Sequence, residues 1–154
     1  MTQKLSFLLT TYPFLLRKLD PSSKTLWGKM NVQQMIEHMG DSIREANGKT
    51  PRLLVTSPER IQQSKDFLMS EKEFRPETKN ILMSSDPEPV KKSSVSEAID
   101  ELELELKDFV QKFENSKQST IMNPFFGDLN FDVWTQLLHK HAIHHLKQFG
   151  VAVI

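Results

Sequence analysis

Cysteine is absent from this 154-residue chain, and that omission removes disulfides, thiolate metal ligands and a cysteine nucleophile together. Any metal must be held by histidine, carboxylate or water. An excess of charge is missing too: Lys plus Arg and Asp plus Glu number 20 each, so nothing favours nucleic acid or an anionic membrane surface as a partner. Glycine is scarce, at 5 residues, and no Gly-rich phosphate loop, G-x-S-x-G elbow or H-E-x-x-H motif occurs. No apolar run approaches the roughly 18 to 20 residues of a membrane span. The run Leu5-Ser6-Phe7-Leu8-Leu9 is too short for a signal peptide and lacks a small-residue cleavage site. The expectation is a cytoplasmic protein of one domain, residues 1–154, with neither membrane nor nucleic acid as partner.

What the chain does contain is helical periodicity. Leu5, Leu8, Leu9, Tyr12, Leu15, Leu16 and Leu19 form one amphipathic face. Pro13 interrupts it and predicts either a kink or a restart capped by Thr11. A second helix starts at an Asn31/Gln34 capping box and buries Val32, Met35, Ile36, Met39, Ile43 and Ala46. Asn47-Gly48 ends it. His38 rides the edge of its buried stripe and Ser42 lies close to the stripe's centre, while Glu37 and Asp41 point away.

Residues 49–92 hold five of the eight prolines and too few apolar residues for a core of their own. They are expected to be a long crossover, with a short helix from Glu59 to Met69 and with Phe67, Phe74, Ile81 and Leu82 to pack a lid; a simple span across the bundle is the alternative. Ser93 or Ser94 caps a third helix with a seam of Val95, Ile99, Leu102, Leu106, Phe109 and Phe113. Its acidic residues, Glu97, Asp100, Glu101, Glu103, Glu105 and Asp108, are expected to form a solvated face. The turn Asn123-Pro124-Phe125-Phe126-Gly127 is an aromatic end plug, and Asn130 caps a fourth helix that stops near Gly150. With no convincing strand pattern, the expected fold class is all-α, a four-helix bundle with its long crossover between helices 2 and 3.

The last helix carries the chemistry. Measured around the helix from His141 at about 100° per residue, His145 falls at about +40°, His144 at about −60° and Gln148 at about −20°, all on the face begun by Trp134, Leu137 and Leu138. His139 falls opposite and is expected in solvent. Imidazoles on a core face need hydrogen bonds or a ligand. His141 and His145, one turn apart, can share one ion, and His38 can supply a third nitrogen from the second helix. His144 could replace His145, with Gln148 as an outer hydrogen-bond partner. Three nitrogens leave a position open for substrate or water. A purely hydrogen-bonded histidine network, or surface histidines with no role, are the alternatives.

Met35-Ile36-Glu37-His38-Met39, the Asn123–Gly127 turn and His141-Ala142-Ile143-His144-His145-Leu146-Lys147-Gln148-Phe149 resemble the DinB-like superfamily, in particular an uncharacterised DinB-related branch. The similarity runs from Trp27-Gly28 to the C-terminus. It implies a divalent ion, commonly zinc or nickel, on His38, His141 and His145, and often a homodimer. Relatives include transferases that use a low-molecular-weight thiol as cosubstrate. By this analogy the expected function is a metal-dependent thiol transferase acting on a small-molecule substrate, in a pocket lined by Trp27, Met39 and the crossover. Hydrolysis by metal-activated water is the enzymatic alternative, and a non-catalytic, metal-braced structural or binding module is the other.

Overall fold

Proline decides the form of the first helix. In the computed structural model, which describes residues 2–76 and 86–153, helix α1 (Thr2–Ser6) runs into a π-helical turn (Phe7–Thr11) and on into α2 (Tyr12–Lys18). Thr11 is helical and makes no capping bond, so the chain neither restarts nor breaks there. Pro13 has no N–H to give, and just ahead of it the ladder widens until the Tyr12 N–H reaches the Phe7 carbonyl. The extra residue turns Leu9 out of the leucine face to 37% exposure, while Leu8, Tyr12 and Leu16 stay buried.

Helix α3 (Val32–Ala46) has the reciprocal Asn31/Gln34 cap, and Gly48, at φ +83°, supplies the left-handed stop. Its apolar stripe from Val32 to Ala46 is buried. A 3-10 turn (Pro58–Arg60) leads into α4 (Ile61–Met69), the short helix expected in the crossover. Helix α5 (Val95–Lys112) is capped by Ser94 and packs on α3 in the most extensive element–element contact among the described residues. Helix α6 (Phe131–Gln148), capped by Asn130, packs on α3, α4 and α1. The protein is mostly helical and its class is all-α.

Between α5 and α6 a small hairpin pairs β1 (Ile121–Asn123) with β2 (Gly127–Leu129), antiparallel, Met122 opposite Asp128. The expectation of no strands is corrected here: three-residue strands are too short to show an alternating pattern. The Asn123 side chain accepts the Phe125 and Phe126 amides, and Trp134 Nε1 donates to the Ile121 carbonyl at 3.1 Å, fixing the plug to α6.

The crossover is tied at both described ends. Lys140, 7% exposed on α6, donates to the carbonyls of Phe67, Ser70 and Lys72 and stands 4.6 Å over the Phe67 ring. It thereby ties down the chain leaving α4, sharing the Phe67 carbonyl with the amide and hydroxyl of Ser70. At the other end, Glu37 accepts the amides of Lys91 and Lys92, and Gln34 donates to the Glu88 carbonyl. Phe67 and Phe74 pack at 5.7 Å; Ile81 and Leu82 lie outside the described residues.

Two polar residues differ from expectation. Glu105 is 3% exposed rather than solvated, because Arg44, Asn47 and Lys49 from the C-terminal end of α3 all donate to it. His139 is half-buried rather than in solvent, its ring edge-on to Phe7 at 5.1 Å. No helix among the described residues is long and apolar enough to cross a membrane.

Candidate metal centre

Helices α3 and α6 bring His38, His141 and His145 together, with one ring nitrogen from each within 4.8 Å of the others. His141 Nε2 lies 3.1 Å from His38 Nε2 and 2.9 Å from His145 Nε2. The rings of His38 and His145 are 5.0 Å apart. His145 is buried, while His38 and His141 keep some exposure. The wheel angles put His141 and His145 on one side, and the partly buried edge of α3 delivers His38 to meet them.

Protons alone do not satisfy this arrangement. Gln148 Nε2 donates to the Trp27 carbonyl at 3.0 Å, which orients the amide and turns its oxygen to His145 Nδ1 at 2.7 Å. An amide oxygen only accepts, so Nδ1 carries the proton and His145 Nε2 presents a bare lone pair to the centre. His141 Nε2 has one proton or one lone pair, yet faces two nitrogens at hydrogen-bond distance. A single cation would accept a lone pair from all three. Tetrahedral ligation at the usual zinc–nitrogen length separates ligand nitrogens by about 3.3 Å. Two of the three separations, 2.9 and 3.1 Å, are within a few tenths of that and the third lies below 4.8 Å, so the three nitrogens can close on a small divalent ion.

Burial sets the charge state. Desolvation first, then the neighbouring rings, push the His141 imidazole well below its ordinary range. Desolvation, reinforced by His38 and opposed by the Gln148 bond, takes His145 down to about 3. Desolvation also lowers His38, with Asp41 opposing it. At pH 7 the three rings are neutral, the form that ligates.

The segment Leu26-Trp27-Gly28 holds the outer layer. The Leu26 amide donates to the Gln148 backbone carbonyl at 2.8 Å while the Trp27 carbonyl takes the side chain. Gly28 sits at φ +80°, and a Cβ there would stand 2.9 Å from Gln148 Nε2. Gly28→Ala is therefore expected to cost about 1–2 kcal/mol of stability through the left-handed backbone. By displacing the Gln148 amide it should also weaken zinc binding by about tenfold. Denaturant unfolding and zinc titration of one preparation check both effects; unchanged zinc affinity would break the link between Gly28 and the centre.

His144 is not a member of the ligand group; its ring stands 5.0 Å from that of His145 and 5.5 Å from Trp27. It lines a cleft of about 430 Å³ with Leu26, Trp27, Glu73, Phe74, Pro76 and Lys147. The crossover's Phe74 meets both His141 and His144 edge-on, at 6.2 and 6.0 Å. A second cleft of about 200 Å³, under residues 87–92, has His38, Glu37, Asp41 and Glu101 among its walls. Of the residues expected to surround the centre, Met39 does not reach it. Met39 is wholly buried in the apolar core, as its place on the α3 stripe requires, and the Ser42 hydroxyl turns back to the His38 carbonyl at 3.3 Å.

Sequence reasoning put Phe74 in the lid without setting it against a particular histidine, and missed Gly28 as the clamp of the centre. The first lies in a crossover without periodicity, and the second acts through a backbone angle that no side chain announces. Set against protein-family models, curated proteins and solved structures, the chain matches none of them, so the chemistry of this centre rests on its own geometry.

Proposed function

We propose that this chain is a metal-dependent, DinB-like thiol transferase, in which a small thiol gives up its proton at the three-histidine centre and its sulfur displaces a leaving group from an electrophilic carbon. One observation carries the reading: three Nε2 atoms from two helices converge, and the tautomer of His145 is set by Gln148 so that its lone pair faces inward. The mutual packing of α1–α2, α3, α5 and α6 supports a four-helix bundle of the DinB-like kind. Residues 49–92 are then its long crossover.

In this reading His38, His141 and His145 hold the ion, and zinc or nickel suits an all-imidazole set. A divalent ion there supplies Lewis acidity, lowering the pKa of a coordinated thiol or water. The chain's own residues do the rest. Gln148 keeps the proton on His145 Nδ1, Trp27 and Gly28 keep Gln148 in place, and Phe74 stands edge-on to His141. The cleft beside His144 offers a mainly apolar place for the electrophile, one ring away from His141 through Phe74.

Cobalt substitution tests the reading. Adding 2-mercaptoethanol to the cobalt-loaded protein is expected to raise a thiolate-to-metal band in the near ultraviolet, absent from His141→Ala. If no band appears while an ester is turned over without thiol, the centre is a hydrolase and the transferase reading falls.

A further inference from the structure

We propose that the cleft bounded by Trp27, Phe74 and His144 binds a flat, uncharged aromatic group, seating it beside the three-histidine centre. This names the substrate class of that centre and rests on reading it as the reacting end of the site. The walls are rings: Trp27 meets His144 at 5.5 Å and 55°, and Phe74 meets it at 6.0 Å and 89°. Such tilted and edge-on placements are those that aromatic quadrupoles favour, and they leave ring surface available to a further flat group. Leu26, on the same cleft, is 70% exposed, an apolar wall without a cover. The cleft is open to solvent, with about 430 Å³ of space, so a ligand there would rest against its rings with one side in water.

Position and charge narrow the choice. Phe74 touches both His144 in the cleft and the ligand ring of His141, so a group lying against Phe74 is one ring away from the centre. The two charged side chains on the cleft, Glu73 and Lys147, are paired with each other at 2.5 Å. An anion or a cation entering must compete with that pair, whereas an uncharged ring need not. The walls are also held in advance. Gln148 bonds the Leu26 and Trp27 backbone, and Phe67 backs Phe74, so little ordering remains to oppose binding.

The test is a matched probe series titrated into the zinc-loaded protein and followed by amide chemical shifts. The probes are 2-naphthylmethanol, its fully saturated counterpart, 2-naphthoate and 2-naphthylmethylammonium. The neutral aromatic probe is expected to bind at least about fivefold tighter than each of the others, the size of one ring–ring contact. Its shifts should centre on Trp27, Glu73 and His144. Trp27→Ala, which retains the backbone carbonyl that holds Gln148, and Phe74→Ala should each weaken it by about fivefold, the first with zinc stoichiometry unchanged. Chelation of the zinc should leave its affinity within about twofold, because the walls are not ligands. A failed metal centre and a failed cleft therefore look different. Equal affinity for the saturated probe, tighter binding of either charged probe, or indifference to both substitutions would overturn the proposal.

Discussion

His141→Ala is expected to abolish stoichiometric zinc binding, lowering affinity by more than about a hundredfold, the upper range for an outer-layer substitution. His141 is the central member: its Nε2 faces both His38 and His145, whereas no such contact joins those two directly. Removing it leaves two nitrogens on separate helices, a weak site. Gln148→Leu gives the graded comparison. It leaves every ligand in place but takes the acceptor from His145 Nδ1 and the donor from the Trp27 carbonyl. The proton can then move to Nε2 and block the lone pair, at a cost of about 10- to 100-fold in affinity. Competitive titration against a chromophoric chelator reads both variants on one scale. If Gln148→Leu bound zinc like the wild type, the tautomer argument would fail though the ligand set survived. Full zinc affinity in His141→Ala would remove the centre altogether.

How far the centre was legible in the sequence depends on what each residue needs. The angular place of His141, His145 and Gln148 on α6 follows from helical geometry alone, and the Asn31 cap with its apolar stripe fixes the phase of α3 and so of His38. That rings on two core-facing edges meet is a consequence of burying both faces. What escaped has a partner outside its own helix. Glu105 is spaced like a solvated carboxylate, yet α3 ends opposite it with three donors. His139 points away from the centre, yet Phe7 on the first helix covers it. Lys140 looks like a surface lysine until α4 is laid beside it. Periodicity specifies direction around one axis and is silent about what waits there. The π turn is a different case: Pro13 announced a disturbance, but whether the ladder breaks or widens depends on packing that keeps Leu8 and Tyr12 buried on either side.

Glu105→Gln should remove about 3 kcal/mol of stability at neutral pH, and the loss should shrink as the solution is acidified. Burial pushes this carboxyl up, but the bonds from Lys49, Arg44 and Asn47 outweigh it and hold it at about 2, against an ordinary value of 4.5. With 5% of its side chain exposed, the carboxylate has little water to compete with those donors. A carboxyl whose folded pKa is depressed contributes stability that is complete above its unfolded value. That contribution is lost as pH falls through the folded value, so the window here runs from about 5 down to about 2. The amide variant has no charge to lose in that window. Urea unfolding of both proteins at pH 7 and near pH 2 should show a gap of about 3 kcal/mol closing towards zero. A gap that stayed constant with pH would mean that packing, not the carboxylate's charge, makes Glu105 valuable. Arg44 and His38 share α3, and the amide variant's looser hold on the C-terminal end of that helix should appear as faster amide exchange there before it appears at Asn31.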